Sequence, residues 1–208
     1  MPNMCYRSAF ALGMVTLLAS AGQAVAGVTY SDQSTFLAEL QPGAVLEDFE
    51  SRSGEAYGVL PLGNGAFTAS CTTTANALIV FDLAGNDYLT TGITPQGWSA
   101  PITITFTSGN VTAVGGAFFF TSPFGAVAPG TVTLGVSDGT HRGLANQANT
   151  SFFGYAGDTP IASLTISPDA THRFVSLDNL RFGASTIPAP AAGVSALLAA
   201  ALVTRRRR

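Results

Sequence analysis

The chain has 208 residues, enough for one ordinary domain, and it contains no Lys. Five of its nine Arg lie near the two ends. The segment from Gly27 to Ile187 therefore contains four Arg and all twelve Asp and Glu residues, which gives it a net charge of −8 with His neutral. Nucleic acid is excluded as a partner because a polyanion needs clustered Lys or Arg. Cations and neutral polymers remain compatible partners.

The first 26 residues have the three parts of a secretory signal peptide. Arg7 supplies the positive charge, Phe10 to Ala19 forms the apolar stretch, and Ala24-Val25-Ala26 provides the small residues that signal peptidase requires. The sequence therefore predicts cleavage between Ala26 and Gly27, with Gly27 as the new N-terminus.

One short helix is predicted at the start of the exported part, from Ser31 to Leu40. Ser31 is the predicted N-cap, Phe36 and Leu40 lie one turn apart, and Pro42-Gly43 ends the helix.

The rest of the exported segment favours strands joined by turns. Ile102 to Thr107 alternates strictly, which places Ile and Phe inward and Thr outward. Other predicted strands are 45–49, 77–83, 111–120, 131–136, 161–166 and 173–182. We therefore predict an all-β fold, a single jelly-roll-like β-sandwich over residues 27–186.

The last predicted strand contains an irregularity. Val175 and Leu177 occupy odd-numbered positions, whereas Leu180 and Phe182 occupy even-numbered ones, so in a regular strand the two pairs would face opposite sides of the sheet. One extra residue at Asp178-Asn179, a β-bulge, would switch the core-facing side and could turn Asp178 toward a site.

Four carboxylates are candidate metal ligands: Glu47, Asp48, Glu50 and Asp178. Calcium takes six to eight oxygens, and an early and a late strand paired in one sheet could bring these side chains to one structural ion. The alternative is that they are solvated carboxylates at strand ends and that the protein has no cofactor.

Aromatic residues in loop-like stretches are candidate glycan contacts, because an exposed ring can stack on a sugar face. These are Tyr57, Trp98, Tyr155 and Phe124; the alternative is packing over the ends of the sandwich. Cys71 is the one cysteine of the exported segment, and we expect it to be half-buried in a strand.

No signature of nucleophilic catalysis is present. The sequence has no Gly-x-Ser-x-Gly motif and no Cys–His spacing typical of a catalytic site. A glycoside hydrolase needs two carboxylates that flank a bond, and nothing marks such a pair among the twelve acids. We therefore predict a protein without catalytic residues, with a surface hydrolase as the alternative.

The C-terminus carries a second signal over residues 187–208. Pro188-Ala189-Pro190 is followed by an apolar tract, Ala191 to Val203, and by Arg205, Arg206, Arg207 and Arg208. The tract is shorter than the roughly 20 residues of a stable membrane span, so only a transient membrane contact is expected, with the Arg cluster in the cytoplasm.

This three-part end resembles the PEP-CTERM sorting signals of Gram-negative bacteria, in a variant with Pro-Ala-Pro for the more frequent Pro-Glu-Pro. The resemblance implies that an exosortase-like enzyme processes the tail and passes the protein to the cell surface or to exopolysaccharide.

Three internal motifs resemble a common, functionally undefined domain of exported PEP-CTERM proteins. They are residues 45–50 (VLEDFE), 152–161 (FFGYAGDTPI) and 177–183 (LDNLRFG). The combination of an early Phe-Glu strand with a late Asp strand also resembles jelly-roll carbohydrate-binding modules, which implies that the two strands lie together and hold a structural calcium ion. The expected function is structural or adhesive, with weak glycan binding; the alternatives are a surface glycoside hydrolase and a passive, calcium-stabilised matrix component.

Overall fold

The computed structural model describes residues 27–82, 85–92, 100–146, 148, 150–168 and 173–187. Within them the chain forms one helix, α1 (Gln33–Ala38), and fifteen strands. The strands are β1 (Val28–Tyr30), β2 (Val45–Glu47), β3 (Ala56–Tyr57), β4 (Val59–Asn64), β5 (Phe67–Thr73), β6 (Leu78–Asp82), β7 (Asp87–Thr91), β8 (Ile102–Phe106), β9 (Ala113–Thr121), β10 (Val127–Ala128), β11 (Gly130–Val136), β12 (His141–Asn146), β13 (Phe152–Ala156), β14 (Ser163–Ser167) and β15 (Phe174–Gly183). The predicted signal peptide, Trp98 and the sorting tail from Pro188 onward lie outside the described residues.

The strands form two antiparallel sheets. The larger has the order β1-β13-β9-β15-β7-β6-β3, with β10 added beside β9 and β2 beside β15; the smaller has the order β12-β11-β14-β8-β5-β4. From β12 onward each connection crosses from one sheet to the other, the kind of crossing that a jelly roll uses. The predicted all-β, jelly-roll-like sandwich with one short N-terminal helix is confirmed.

The predicted alternation in β8 is also confirmed. Ile102, Ile104 and Phe106 are buried, whereas Thr103 and Thr105 lie on the outer face of the smaller sheet. The main core fills the space between the sheets and includes Phe118, Leu177 and Phe182. Cys71 belongs to this core with no exposed surface, so the expectation of a half-buried cysteine is wrong. Burial raises the pKa of its thiol, which leaves it unreactive.

Helix α1 is shorter than predicted, and its N-cap is Asp32 rather than Ser31. The Asp32 carboxylate accepts a hydrogen bond from the Thr35 amide at 2.8 Å, so the prediction of Ser31 as the cap is wrong. No helix in the described part of the chain is long and apolar enough to cross a membrane.

The helix lies on the outer face of the larger sheet, held there by Phe36. This ring is fully buried and rests on Gly115 and Gly154, which face each other on β9 and β13. A Cβ atom on Gly154 would lie 2.6 Å from the ring and one on Gly115 would lie 2.8 Å from it. The two glycines thus make the flat surface on which the helix docks, and docking holds Gln33, one turn earlier, over the same sheet.

Candidate functional site

The bulge predicted in the last strand is present. β15 pairs with β9 on one side, and the register shifts between Asp178 and Arg181. Asn179 has a φ of 51°, in the left-handed region that a non-glycine residue seldom adopts. The core therefore receives odd-numbered residues of β15 before the bulge and even-numbered residues after it, as the sequence predicts.

The bulge also marks a change of neighbour on the other side of β15. Before it, Ser176 and Leu177 pair with β7; after it, Leu180 to Phe182 pair with β2. The expected pairing of the early acidic strand with the late strand is therefore confirmed. As a result, the end of β2 and the start of β7 meet beside Asp178.

The four predicted calcium ligands have separate partners in this arrangement. Glu47 forms an ion pair with Arg52 at 3.2 Å. Asp48 accepts a hydrogen bond from the Glu50 amide at 3.3 Å, and Glu50 accepts one from the Asp87 amide at 3.1 Å. Between them, Phe49 has a φ of 62° and is fully buried, so the turn is anchored in the core.

Asp178 is the most buried of the four and lies on the outer face of the larger sheet, 3% exposed. Its carboxylate accepts hydrogen bonds from the Asn86 side-chain amide at 3.2 Å and from the Asn179 amide at 2.6 Å. Burial raises the pKa of Asp178, the two hydrogen bonds oppose this, and the charges of Glu50 and Asp48 add to the rise.

No group of three or more His, Cys, Asp or Glu side chains placed to hold a metal ion occurs among the described residues. With Glu47 paired to Arg52, a calcium site would require these side chains to rearrange. Calcium binding by Glu47, Asp48, Glu50 and Asp178 therefore stays a prediction.

Two of the predicted glycan contacts are packing residues. Tyr155 is 1% exposed, and its hydroxyl donates a hydrogen bond to Asp138, so its ring has no free face and the prediction for it is wrong. Tyr57 is half-buried against the main core, with the Arg52 guanidinium 6.0 Å from its ring centre. Phe124, in contrast, is 87% exposed.

Phe124 lies in the turn between β9 and β10, and its neighbours Pro123 and Gly125 line a small pocket on the outer face of the larger sheet. We call this the hydroxyl–aromatic pocket; it has a volume of about 160 Å³. Its lining residues are Ile79, Phe81, Tyr88, Thr90, Thr91, Gly92, Thr121, Ser122, Pro123, Gly125 and Phe174. No Asp, Glu, His, Lys or Arg is among these residues, so the described lining is uncharged.

Three buried hydroxyl groups stand beside this pocket in a hydrogen-bonded chain. Ser176 donates to Thr90 at 2.9 Å, and Thr90 donates to the Val175 carbonyl at 3.2 Å. Thr121 lies 2.9 Å from the Ser176 oxygen and must be the donor there, because the Ser176 proton is used for Thr90. Thr121 lines the pocket but is 1% exposed, and its oxygen also lies 3.4 Å from the Thr90 oxygen, so the chain forms a buried polar wall of the pocket.

Aromatic rings shape the rest of the pocket. Tyr88 packs against Phe119 and Phe81 with ring centres 5.3 and 6.0 Å apart, and its hydroxyl donates to the Gly125 carbonyl at 2.7 Å. Burial raises the pKa of Tyr88 to about 12, so it stays protonated and fixes the turn. Phe81 and Phe174 are half-buried and present part of their rings to the pocket.

Sequence reasoning missed this pocket. Its residues come from strands that have apolar or Thr side chains on both faces, so neither face stands out as functional. An available signal was Phe124, an aromatic residue between Pro123 and Gly125.

A second pocket on the same outer face surrounds Asp178. This acidic pocket has a volume of about 130 Å³ and is lined by Gln33, Asn86, Ala117, Thr150, Phe152, Asp178 and Asn179. Asn86, which precedes β7, and Gln33 of α1 were not among the predicted site residues. Both line the pocket of Asp178 only through long-range folding, which spacing in the sequence does not reveal.

A wider depression of about 290 Å³ lies on the outer face of the smaller sheet. Its lining is mostly hydroxyl-bearing, with Thr133, Ser163, Thr165 and Ser167, and it includes His141. None of its described lining residues is Phe, Tyr or Trp, so the hydroxyl–aromatic pocket is the better candidate for a ring-shaped ligand.

Comparison of the chain with protein-family models, with curated proteins and with solved structures finds no match.

Proposed function

We propose that the chain is an exported protein of the cell surface or extracellular matrix that binds neutral glycans weakly and does not catalyse a reaction. The observation that carries this proposal is the hydroxyl–aromatic pocket, in which an uncharged lining combines half-buried rings with an oriented hydroxyl chain.

A sugar ring has apolar C–H faces and a rim of hydroxyl groups. Phe81 and Phe174 offer apolar ring surface for the faces, and Thr91, whose buried hydroxyl has no hydrogen-bond partner among the described residues, offers a polar group for a sugar hydroxyl. Pockets for drug-sized ligands measure about 300–1,000 Å³, so about 160 Å³ suits a single ring. Binding to one such site should be weak, and repeated contacts along a polymer would be needed for adhesion.

The same lining supports a role without catalysis. Glycoside hydrolysis in most families requires two carboxyl groups about 5–10 Å apart on either side of the bond. The hydroxyl–aromatic pocket has no carboxylate among its described lining residues, and the acidic pocket has only Asp178.

Export and sorting belong to the same proposal. The signal peptide with cleavage between Ala26 and Gly27, and the tail with Pro188-Ala189-Pro190 and its Arg cluster, imply signal peptidase and an exosortase-like enzyme as processing partners. Exopolysaccharide is then the polymer that the exported protein would meet.

The test is a glycan array probed with the full-length chain and two variants. Phe124→Ala removes the 87% exposed ring between the lining residues Pro123 and Gly125 and should weaken binding of neutral glycans at least threefold without changing the melting temperature. Val59→Ala, at a 59% exposed position on β4, is the matched control and should bind as the wild type does. Absence of binding to every neutral glycan, or equal binding by the Phe124→Ala variant, would contradict the proposal.

A further inference from the structure

The acidic pocket contains a buried carboxylate without a counter-charge. Asp178 is 3% exposed, and its two hydrogen-bond donors, Asn86 and Asn179, are both neutral. No Lys, Arg or His is among the described lining residues. Burying an unpaired charge is costly, and the nearby charges of Asp48 and Glu50 increase that cost.

A cation that enters the pocket would relieve this cost. The pocket suits an ammonium group better than a metal ion, because it offers one carboxylate, whereas calcium requires six to eight oxygens. An ammonium group has three N–H donors, and Asp178, the Gln33 side-chain carbonyl and the Thr150 hydroxyl are acceptors around the same space. The ring of Phe152 also lines the pocket, and aromatic rings attract cations.

The acidic pocket and the hydroxyl–aromatic pocket are built on the same three adjacent strands. On β15, Phe174 lines one pocket and Asp178 the other; on β9, Thr121 lines one and Ala117 the other. Each pair is four residues apart, which places its members on the same face of the strand, about 13 Å apart. Thr90 of β7 and Asn86 before it repeat this spacing.

We propose that the acidic pocket binds the ammonium group of an amino sugar, so that the protein binds glycans with free, non-acetylated amines more tightly than neutral ones. This inference rests on the proposed function, because it assigns a second subsite on the same face to the glycan held by the hydroxyl–aromatic pocket. Asp178 neutralises the ammonium group, and Gln33 supplies a second acceptor from the docked helix.

Calorimetric titration of the full-length chain with two glucosamine oligomers of equal length tests this inference. One oligomer carries free amines and the other is fully N-acetylated, and both are measured at physiological ionic strength. We expect the wild type to bind the free-amine oligomer at least tenfold more tightly. Asp178→Asn should reduce that preference to about twofold, and Gln33→Ala, at an exposed helix position, should reduce it about threefold.

Because the segment from Gly27 to Ile187 carries a net charge of −8, a polycation could bind to it without a specific site. Glu55→Gln is the matched control: it removes one negative charge at an exposed residue that does not line the pocket, and it should keep the full preference.

Equal binding of the two oligomers would overturn the inference while leaving the proposed function intact. Equal loss of preference in the Glu55→Gln and Asp178→Asn variants would overturn it in favour of long-range attraction. Failure of the free-amine oligomer to bind would overturn it, and the neutral-glycan array would then decide the proposed function separately. If the Asp178→Asn variant does not fold, the Gln33→Ala variant decides: an unchanged preference there overturns the inference.

Discussion

At the scale of single residues, Asp138 and Asp178 show how environment gives two carboxylates opposite effects on stability. Asp138 lies in the turn between β11 and β12, and it accepts hydrogen bonds from the Tyr155 hydroxyl and from the amide and hydroxyl of Thr140. Partial burial acts to raise the pKa of Asp138, but the hydrogen bonds outweigh it and lower the pKa. Since Tyr155 belongs to the larger sheet and Asp138 to the smaller, this contact joins the two sheets.

Tyr155→Phe should therefore destabilise the fold by about 1 kcal/mol at neutral pH, because a charge-assisted hydrogen bond is lost at a partly exposed carboxylate. A carboxyl group whose pKa is lowered by folding contributes stability above its unfolded pKa of 3.8, and this contribution is lost as the pH falls through the folded value. The difference between variant and wild type should shrink in acid. Urea unfolding at neutral pH and below pH 3 measures it, and a difference independent of pH would refute the assignment.

Asp178 should behave in the opposite way, because folding raises its pKa. Stability from such a group is complete below pH 3.8 and is lost as the pH rises through the folded value. Asp178→Asn removes that loss, provided that the Asn86 amide reorients to keep its hydrogen bond. We expect the variant to unfold at higher urea concentration than the wild type at pH 7, with no advantage at pH 3. A variant less stable at pH 7 would contradict this account.

The bulge that exposes Asp178 to its pocket was predictable, because the change of parity after Leu177 is visible in the sequence. The surroundings of Tyr155 could not be predicted from the sequence. Alternation indicates which face of a strand a residue occupies, but it does not show which turn of the opposite sheet covers its end. Asp138 acquires its role from that contact.

At the scale of secondary structure elements, the docking of α1 depends on two glycines, whose lack of a side chain leaves room for a ring. Phe36 is buried between Tyr30 and Phe152, with ring centres 5.8 and 5.6 Å away, and lies on Gly115 and Gly154. The helix is only six residues long and would not be stable alone. Its position, and that of Gln33, therefore depends on the fit of one ring to two glycines.

Phe36→Ala should cost about 3 kcal/mol through the cavity it leaves, and Gly154→Ala should also destabilise because its Cβ would meet the ring. In the double variant the new methyl group occupies part of the vacated space, so the two costs should not add. Gly58→Ala is the control, since no atom lies within 4 Å of a Cβ there. Urea unfolding of the four variants measures the coupling between Phe36 and Gly154. If the double variant lost as much stability as the sum of the two single variants, the proposed docking would be contradicted.

The strands divide into those that sequence predicts and those that it does not. β8 and β11 have one buried and one exposed face, so apolar and polar residues alternate. β7 is buried at every position, because the sandwich core lies on one side and the hydroxyl–aromatic pocket on the other. Its sequence, DYLTT, therefore shows no alternation, and the residues of the pocket are hidden for the same reason.

At the scale of the whole molecule, the described fold reaches its last contacts just before the predicted sorting motif. The Thr186 amide donates to the Glu39 carbonyl at 2.7 Å, and Ile187 packs against the Phe36 cluster. Pro188 begins the segment that resembles a sorting signal.

Deletion of residues 188–208 should therefore leave the domain folded but misplaced. We expect its free energy of unfolding to change by no more than about 0.5 kcal/mol, as for a change away from the packed structure. Cell fractionation should move the truncated protein away from the surface or matrix fraction in which the full chain is found. A large loss of stability would show that the tail belongs to the fold, and unchanged fractionation would argue against sorting.

The central claim is that this sandwich holds a glycan without cleaving it. The most direct measurement incubates the full-length chain with an insoluble neutral polysaccharide, then assays both the protein that sediments with the polymer and the new reducing ends in solution. The account predicts sedimentation that falls in the Phe124→Ala variant, with no reducing ends above the protein-free control. Release of reducing ends in proportion to protein concentration, or failure to sediment with any neutral polymer tested, would contradict it.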